Sequence, residues 1–262
     1  MHPDDFEAFD YDSSMRTDTM PEGVLLPIEY LRFAVLDLAE GNSERHLTNS
    51  TSNAKKALHL QVDIIAEVLG FKAGRSVPFP KKLDFCTSCG VGGSRILEKL
   101  NRLRNSIEHE YLVPTKEQTE DFVDVVELFL SGTNLLLRLF PEEMTLVDEC
   151  DDEVIEEAGL RTNDLTVEWQ PRSGIIVLEG SHLTIAVEEI RALVAIEEAS
   201  LIAKHRSRKL RKDRLRALKN DAYCKVIQQN RKNEQLSIPA SDRSQYCAWA
   251  KWILRKSGVK MP

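Results

Sequence analysis

Near the middle of the chain stands the stretch Arg104-Asn105-Ser106-Ile107-Glu108-His109-Glu110-Tyr111. Its residue types suit phosphate chemistry. An arginine grips a phosphate through a planar fork and keeps its charge at any working pH. A histidine, with an ordinary pKa of about 6.5, gives or takes a proton near neutrality. Asn105 would orient the imidazole or the phosphate, and Tyr111 would contact a substrate. Together these groups could drive proton transfer at a phosphate without a metal. The plainer reading is a surface cluster of Arg104, Glu108 and Tyr111, with His109 simply exposed.

The element that must carry these residues is a helix expected from about Ser94, a good N-cap, to just before Pro114. At about 100° per residue, Ile96, Leu100, Leu103 and Ile107 share its apolar side. His109 then points away from that side, near Asn101 and Asn105. Arg104 and His109 fall about 140° apart on an ideal helix. One straight helix does not easily join their tips, whereas two helices from two subunits could.

The pattern of an Arg, a polar residue, a short spacer and a His resembles the signature of the HEPN family, helical-bundle proteins rich in metal-independent ribonucleases. Tyr111, two places after His109, is similar to the subgroup of HEPN toxins that pair with a nucleotidyltransferase antitoxin. The resemblance spans roughly residues 24 to 140. It implies a homodimer in which two Arg104 and two His109 surround one RNA phosphate, with no cofactor and no metal. Catalytic roles then fall to Arg104, His109 and Asn105. Tyr111 binds substrate or is itself modified by a separate nucleotidyltransferase; another protein is the alternative partner. The family also contains inactive members, so a nucleic-acid- or protein-binding module, an adaptor or regulator, stands as the second reading. The small toxins are little more than the bundle, while roughly 120 residues follow it here.

A second set of candidates is basic. From Ile196 onward the chain carries 17 Lys and Arg against 6 Asp and Glu, so the rest is strongly acidic within a net charge of −7. Arg208, Lys209, Arg211 and Lys212 are candidates for holding a nucleic-acid backbone, or else a solvated helix face. Lys55, Lys56 and His59 could add phosphate contacts, although an ordinary polar face explains them as well. Cys86 and Cys89 form a lone Cys-x-x-Cys, read as two ordinary thiols in preference to half a zinc site or a redox pair. The chain has no phosphate-loop, zinc-protease or nucleophile-elbow motif. Five scattered Cys, an acidic start with no signal-like segment and only short apolar runs lead us to expect a cytoplasmic protein with no membrane association.

The expected fold is mainly α: a four-helix HEPN-like bundle, then a small α+β region with a short antiparallel sheet and a basic helical C-terminus. Residues 1–22 read as an acidic disordered arm, 23–141 as the bundle and 142–262 as the accessory region. Helix one runs from Pro27 to Glu40, with Ile28, Leu31, Val35 and Leu38 inward. Helix two runs from Ser52 or Asn53 to Leu69. Residues 71–93 read as a loop. Helix four opens at Thr115, with Gln118 at capping-box spacing, and continues to about Phe140. Strands are expected at Leu165–Trp169, Ile175–Leu178 and His182–Ile185, with a turn at Pro171–Gly174. A helical region follows Val187. After a polar break around Asn230 to Asp242, a last helix covers Arg243 to Lys256, with Trp249 and Trp252 on one face.

Overall fold

Ser43 accepts a hydrogen bond from the backbone N–H of His46 and so opens a helix of 25 residues. The computed structural model that contains it describes residues 1–72, 77–92, 113–148, 163–183, 187–204 and 212–258. In chain order these residues form a 3-10 turn (Pro3–Phe6), β1 (Asp10–Thr17), α1 (Pro27–Glu40), α2 (Glu44–Val68), α3 (Phe79–Ser88) and α4 (Lys116–Arg138). There follow β2 (Phe140–Val147), β3 (Asp164–Gln170), β4 (Ile175–Leu183), α5 (Val187–Lys204), α6 (Lys212–Asn230), β5 (Arg231–Pro239) and α7 (Arg243–Lys256). Among the described residues no helix is long and apolar enough to cross a membrane.

The chain is mainly helical, but the expected four-helix bundle with a small appended sheet is overturned. The fold is α+β, with one five-stranded antiparallel sheet in the order β1-β2-β3-β4-β5. Three of its strands lie where no strand was expected. Strand β1 falls in the stretch read as a disordered arm, and β5 in the stretch read as a polar break. Both are edge strands whose side chains are largely exposed, so neither needs apolar alternation. Their charged residues also guard the open edges against pairing with other chains. Strand β2 replaces the expected end of helix four. Pro141 has no N–H to give a helix and forces Phe140 into an extended conformation, so α4 stops at Arg138.

The chain divides into two compact units, and each takes part of every strand. The first holds residues 1–13, 144–168 and 177–237. In it Leu165 and Val167 of β3 and Leu178 of β4 are buried. Ile190 and Val194 of α5 pack with Ala222, Tyr223, Val226 and Ile227 of α6. A 2.6 Å ion pair joins Lys225 to Glu197 across the same two helices.

The second unit holds residues 14–143, 169–176 and 238–262. Helix α2 is its axis, packed by α1, α3 and α4. Small residues let the backbones approach: Ser50 donates to the carbonyl of Ala34 at 2.8 Å, and Ala54 and Ala57 are fully buried. Gln61 crosses to α4, donating to Thr133 Oγ1 at 2.8 Å and Asn134 Oδ1 at 3.1 Å. Helix α2 begins eight residues earlier than expected. Its first turns are polar, and Leu47, Ser50 and Thr51 are nonetheless buried. Helix α3 lies wholly inside the expected loop. Pro78 and Pro80, read as loop signals, occupy its N-cap and first turn, where a missing N–H costs nothing.

Helix α1 has the expected ends but a rotated face. Pro27, Leu31 and Ala34 are buried, while Ile28 and Val35 are exposed. Helix α4 opens at Thr115 with the full reciprocal capping box to Gln118. The turn Pro171–Gly174 closes the β3–β4 hairpin against the end of α2. Arg172 there takes φ +64°, a left-handed conformation that a side-chain-bearing residue rarely adopts. Three bonds hold it: its N–H to the Val68 carbonyl, Nε to Glu67 and Nη2 to the Thr19 carbonyl. Gly174, at φ +70°, packs so closely on Gly70 that a Cβ would lie 2.8 Å from the Gly70 carbonyl oxygen.

Candidate functional site

Arg104, Asn105, His109 and Tyr111 lie outside the described residues, as do Arg208, Lys209 and Arg211. Lys212 is the first residue of α6. The two flanks of the Arg–His stretch are described, and both belong to the second unit. On the near side α3 closes with Cys89 N–H donating to Phe85, Gly90 to Thr87 and Val91 to Cys86, each at 3.0 Å. Gly90 makes this turn possible at φ +93°, and Val91 is fully buried. On the far side Pro114 is buried and Thr115 caps α4. Thr119 in the first turns of α4 then meets Thr51 of α2. Both described flanks of the Arg–His stretch are therefore held against well-packed helices.

The α2 candidates do not form a phosphate groove. The His59 ring stacks on Phe79 of α3, with centroids 4.2 Å apart. Lys56 Nζ sits 5.8 Å over the Tyr30 ring of α1. Lys56 reaches α1 and His59 reaches α3, so both side chains serve helix contacts, which favours the polar-face reading.

The Cys-x-x-Cys spacing does not describe the thiol chemistry. Cys86 and Cys89 are both buried, but the sulfur that meets Cys89 belongs to Cys247 of α7, with Sγ to Sγ at 3.5 Å. Cys86 instead points its sulfur at the Val62 carbonyl, 4.0 Å away, and burial pushes its thiol up. One turn before Cys247 lies Arg243, which hydrogen-bonds it. The shared hydrogen bond and then this guanidinium pull the Cys247 thiol down to about 7, against burial. The same hydrogen bond and burial push Cys89 up. The opposed directions belong to one coupled pair, in which the neighbouring Arg243 guanidinium favours the charged form at Cys247 over Cys89. Among the described residues no group of His, Cys, Asp and Glu could hold a metal ion.

Beneath this pair, Tyr246 donates to the Leu69 carbonyl at 2.7 Å and accepts from Trp169 Nε1 at 2.8 Å. Trp249 and Trp252, expected to share one face of α7, are both buried with ring centroids 5.3 Å apart.

The first unit carries a polar cavity of about 500 Å³ on one face of β3, β4 and β5. Alternation explains its chemistry. Leu165, Val167 and Trp169 turn to the core, so Asp164 and Thr166 turn to the cavity. Asp164 accepts from the Ser181 hydroxyl and lies 3.6 Å from the Arg231 guanidinium. Gln235 donates to Glu179 at 2.6 Å. Acidic, amide, hydroxyl and guanidinium groups are thus paired with one another there. Neither Cys247 nor this cavity was visible in the sequence, because each depends on partners far apart in the chain. The chain matches no family model, no curated protein and no solved structure.

Proposed function

We propose that this chain is a metal-independent endoribonuclease, a toxin or defence effector, working in the cytoplasm as a homodimer. The observation that carries the reading is the order Arg104-Asn105 and His109 with Tyr111 after it, set between two helices of one helical unit. His109 moves the proton at the 2′-hydroxyl or the leaving oxygen. Arg104 grips the phosphate and offsets charge in the transition state, with Asn105 orienting either group. Two copies bring both residue types around one phosphate. Exposed apolar side chains support a second copy: Ile28, Val35 and Leu36 on α1, Leu128 and Leu135 on α4, and Leu139 at its C-cap. The basic stretch with Arg208, Lys209, Arg211 and Lys212 holds the RNA backbone. Tyr111 stacks on substrate or receives a nucleotide from a separate transferase.

The same exposed apolar residues favour a second reading, a non-catalytic module that binds a protein or a nucleic acid. Cleavage of single-stranded RNA in chelator by the wild type and His109→Ala separates the two. The expected loss is about 10² to 10⁴ in rate. Arg104→Lys should recover only part of an Arg104→Ala loss, since an ammonium lacks the planar fork. Equal cleavage by wild type and His109→Ala points to a contaminant. No cleavage by either, across varied RNAs, moves the assignment to the binding module.

A further inference from the structure

Two of the four described cysteines face each other with nothing between them. Cys89 stands just past the end of α3, and Cys247 lies 158 residues later on α7, with sulfurs 3.5 Å apart in the core of the second unit. A disulfide needs about 2.05 Å, so the sulfurs must close by roughly 1.5 Å. The Cys89 end of the pair sits in a turn, where backbone adjusts more readily than inside a helix. Access is unequal: Cys89 is fully buried, whereas Cys247 keeps 7% of its surface open. A small oxidant therefore meets Cys247 first, and Cys247 is also the sulfur that Arg243 attends.

We propose that Cys89 and Cys247 form a dithiol site for hydroperoxides, closing to an intramolecular disulfide that ties the end of α3 to α7. The Cys247 thiolate attacks one peroxide oxygen. The O–O bond breaks, the second oxygen leaves with a proton as water or an alcohol, and Cys247 becomes a sulfenic acid. Cys89 then loses its proton and attacks the Cys247 sulfur. The S–O bond breaks, and hydroxide leaves with that proton as water. The two sulfurs are oxidised by two electrons in all, and the peroxide is reduced by two. Cys247 is thus the attacking residue and Cys89 the resolving one. Cys86 takes no part, despite standing three residues from Cys89, because its sulfur points at Val62. The site does not depend on the ribonuclease reading.

The test is peptide mapping of the full-length wild-type chain after brief hydrogen peroxide treatment and thiol alkylation. The expected product is a Cys89–Cys247 peptide pair linked within one chain, with no disulfide-linked dimer on a non-reducing gel, and lost on reduction. Cys86→Ser should still give it. Cys89→Ser should leave a sulfenic acid at Cys247 that dimedone traps. The wild-type map alone decides the matter and needs no variant to fold. A Cys86–Cys89 link, or alkylatable Cys89 and Cys247 under conditions that oxidise the exposed Cys224, would overturn the proposal.

Discussion

Replacing Tyr246 with Phe removes one oxygen atom and leaves two buried groups without their partner. Trp169 Nε1 loses its acceptor, and the Leu69 carbonyl loses its donor. Trp169, Leu69 and Tyr246 are all fully buried, so water does not readily take the place of the hydroxyl. The ring itself stays, and with it the edge contact to Trp169 at 6.2 Å and the stack on Phe85 at 6.4 Å. Packing is therefore nearly unchanged, and the cost lies in the two orphaned polar groups. At about 1 to 3 kcal/mol for each buried unsatisfied group, the variant should lose roughly 2 to 6 kcal/mol. That is a large share of the 5 to 15 kcal/mol typical of a folded domain. Burial pushes the phenol well above its ordinary range, so the hydroxyl stays protonated and both bonds persist through neutral and mildly alkaline pH. Urea unfolding followed by circular dichroism reads the loss. With a slope near 3 kcal/mol per molar, the midpoint should fall by about 0.7 to 2 M. A Trp169→Phe, Tyr246→Phe double variant should cost less than the sum of the singles, because the two share one bond. A loss below about 0.5 kcal/mol would refute the reasoning, since it would mean these groups find other partners at no cost.

Gly174→Ala should destabilise the chain by about 2 to 4 kcal/mol, the left-handed backbone costing 1 to 2 and the collision with Gly70 the rest; thermal unfolding measures it, and an unchanged midpoint would contradict the close approach of the two glycines. Oxidation of the Cys89–Cys247 pair should slow as pH falls through about 7, roughly tenfold per unit below it, because the reactive thiolate of Cys247 is being protonated; stopped-time alkylation between pH 5.5 and 8.5 follows this, and a flat profile would remove the thiolate assignment.

What the sequence disclosed was local. The capping box at Thr115 and Gln118, the ends of α1, the alternation Leu165-Val167-Trp169 and the whole of α7 are each decided by residues within a turn or two of one another. The failures came where distant partners decide. Ile28 and Val35 have helical spacing, yet the face of α1 that meets α2 is the one with Ala34, because Ser50 bonds its carbonyl and small residues allow close approach. The prolines of α3 carry one meaning in a loop and another in a first turn. Edge strands β1 and β5 show no period because most of their side chains are exposed on both faces. Among the thiols, spacing drew attention to Cys86 and Cys89, whereas the fold joins Cys89 to a residue 158 positions away. The Arg104–His109 pattern remains legible only as sequence, since it lies outside the described residues.

The way each unit is threaded bears on how the protein can be made. The second unit takes its residues from 14–143, 169–176 and 238 onward, so Leu69, the C-cap of α2 near its start, waits for Tyr246 from α7. During translation the early helices leave the ribosome with the Leu69 carbonyl and the Phe85 ring still uncovered. Their final partner emerges some 160 residues later, about 10 to 30 s at ordinary elongation rates. A nascent chain in this interval leaves apolar surface uncovered, and no single cut in the gene would release either unit intact.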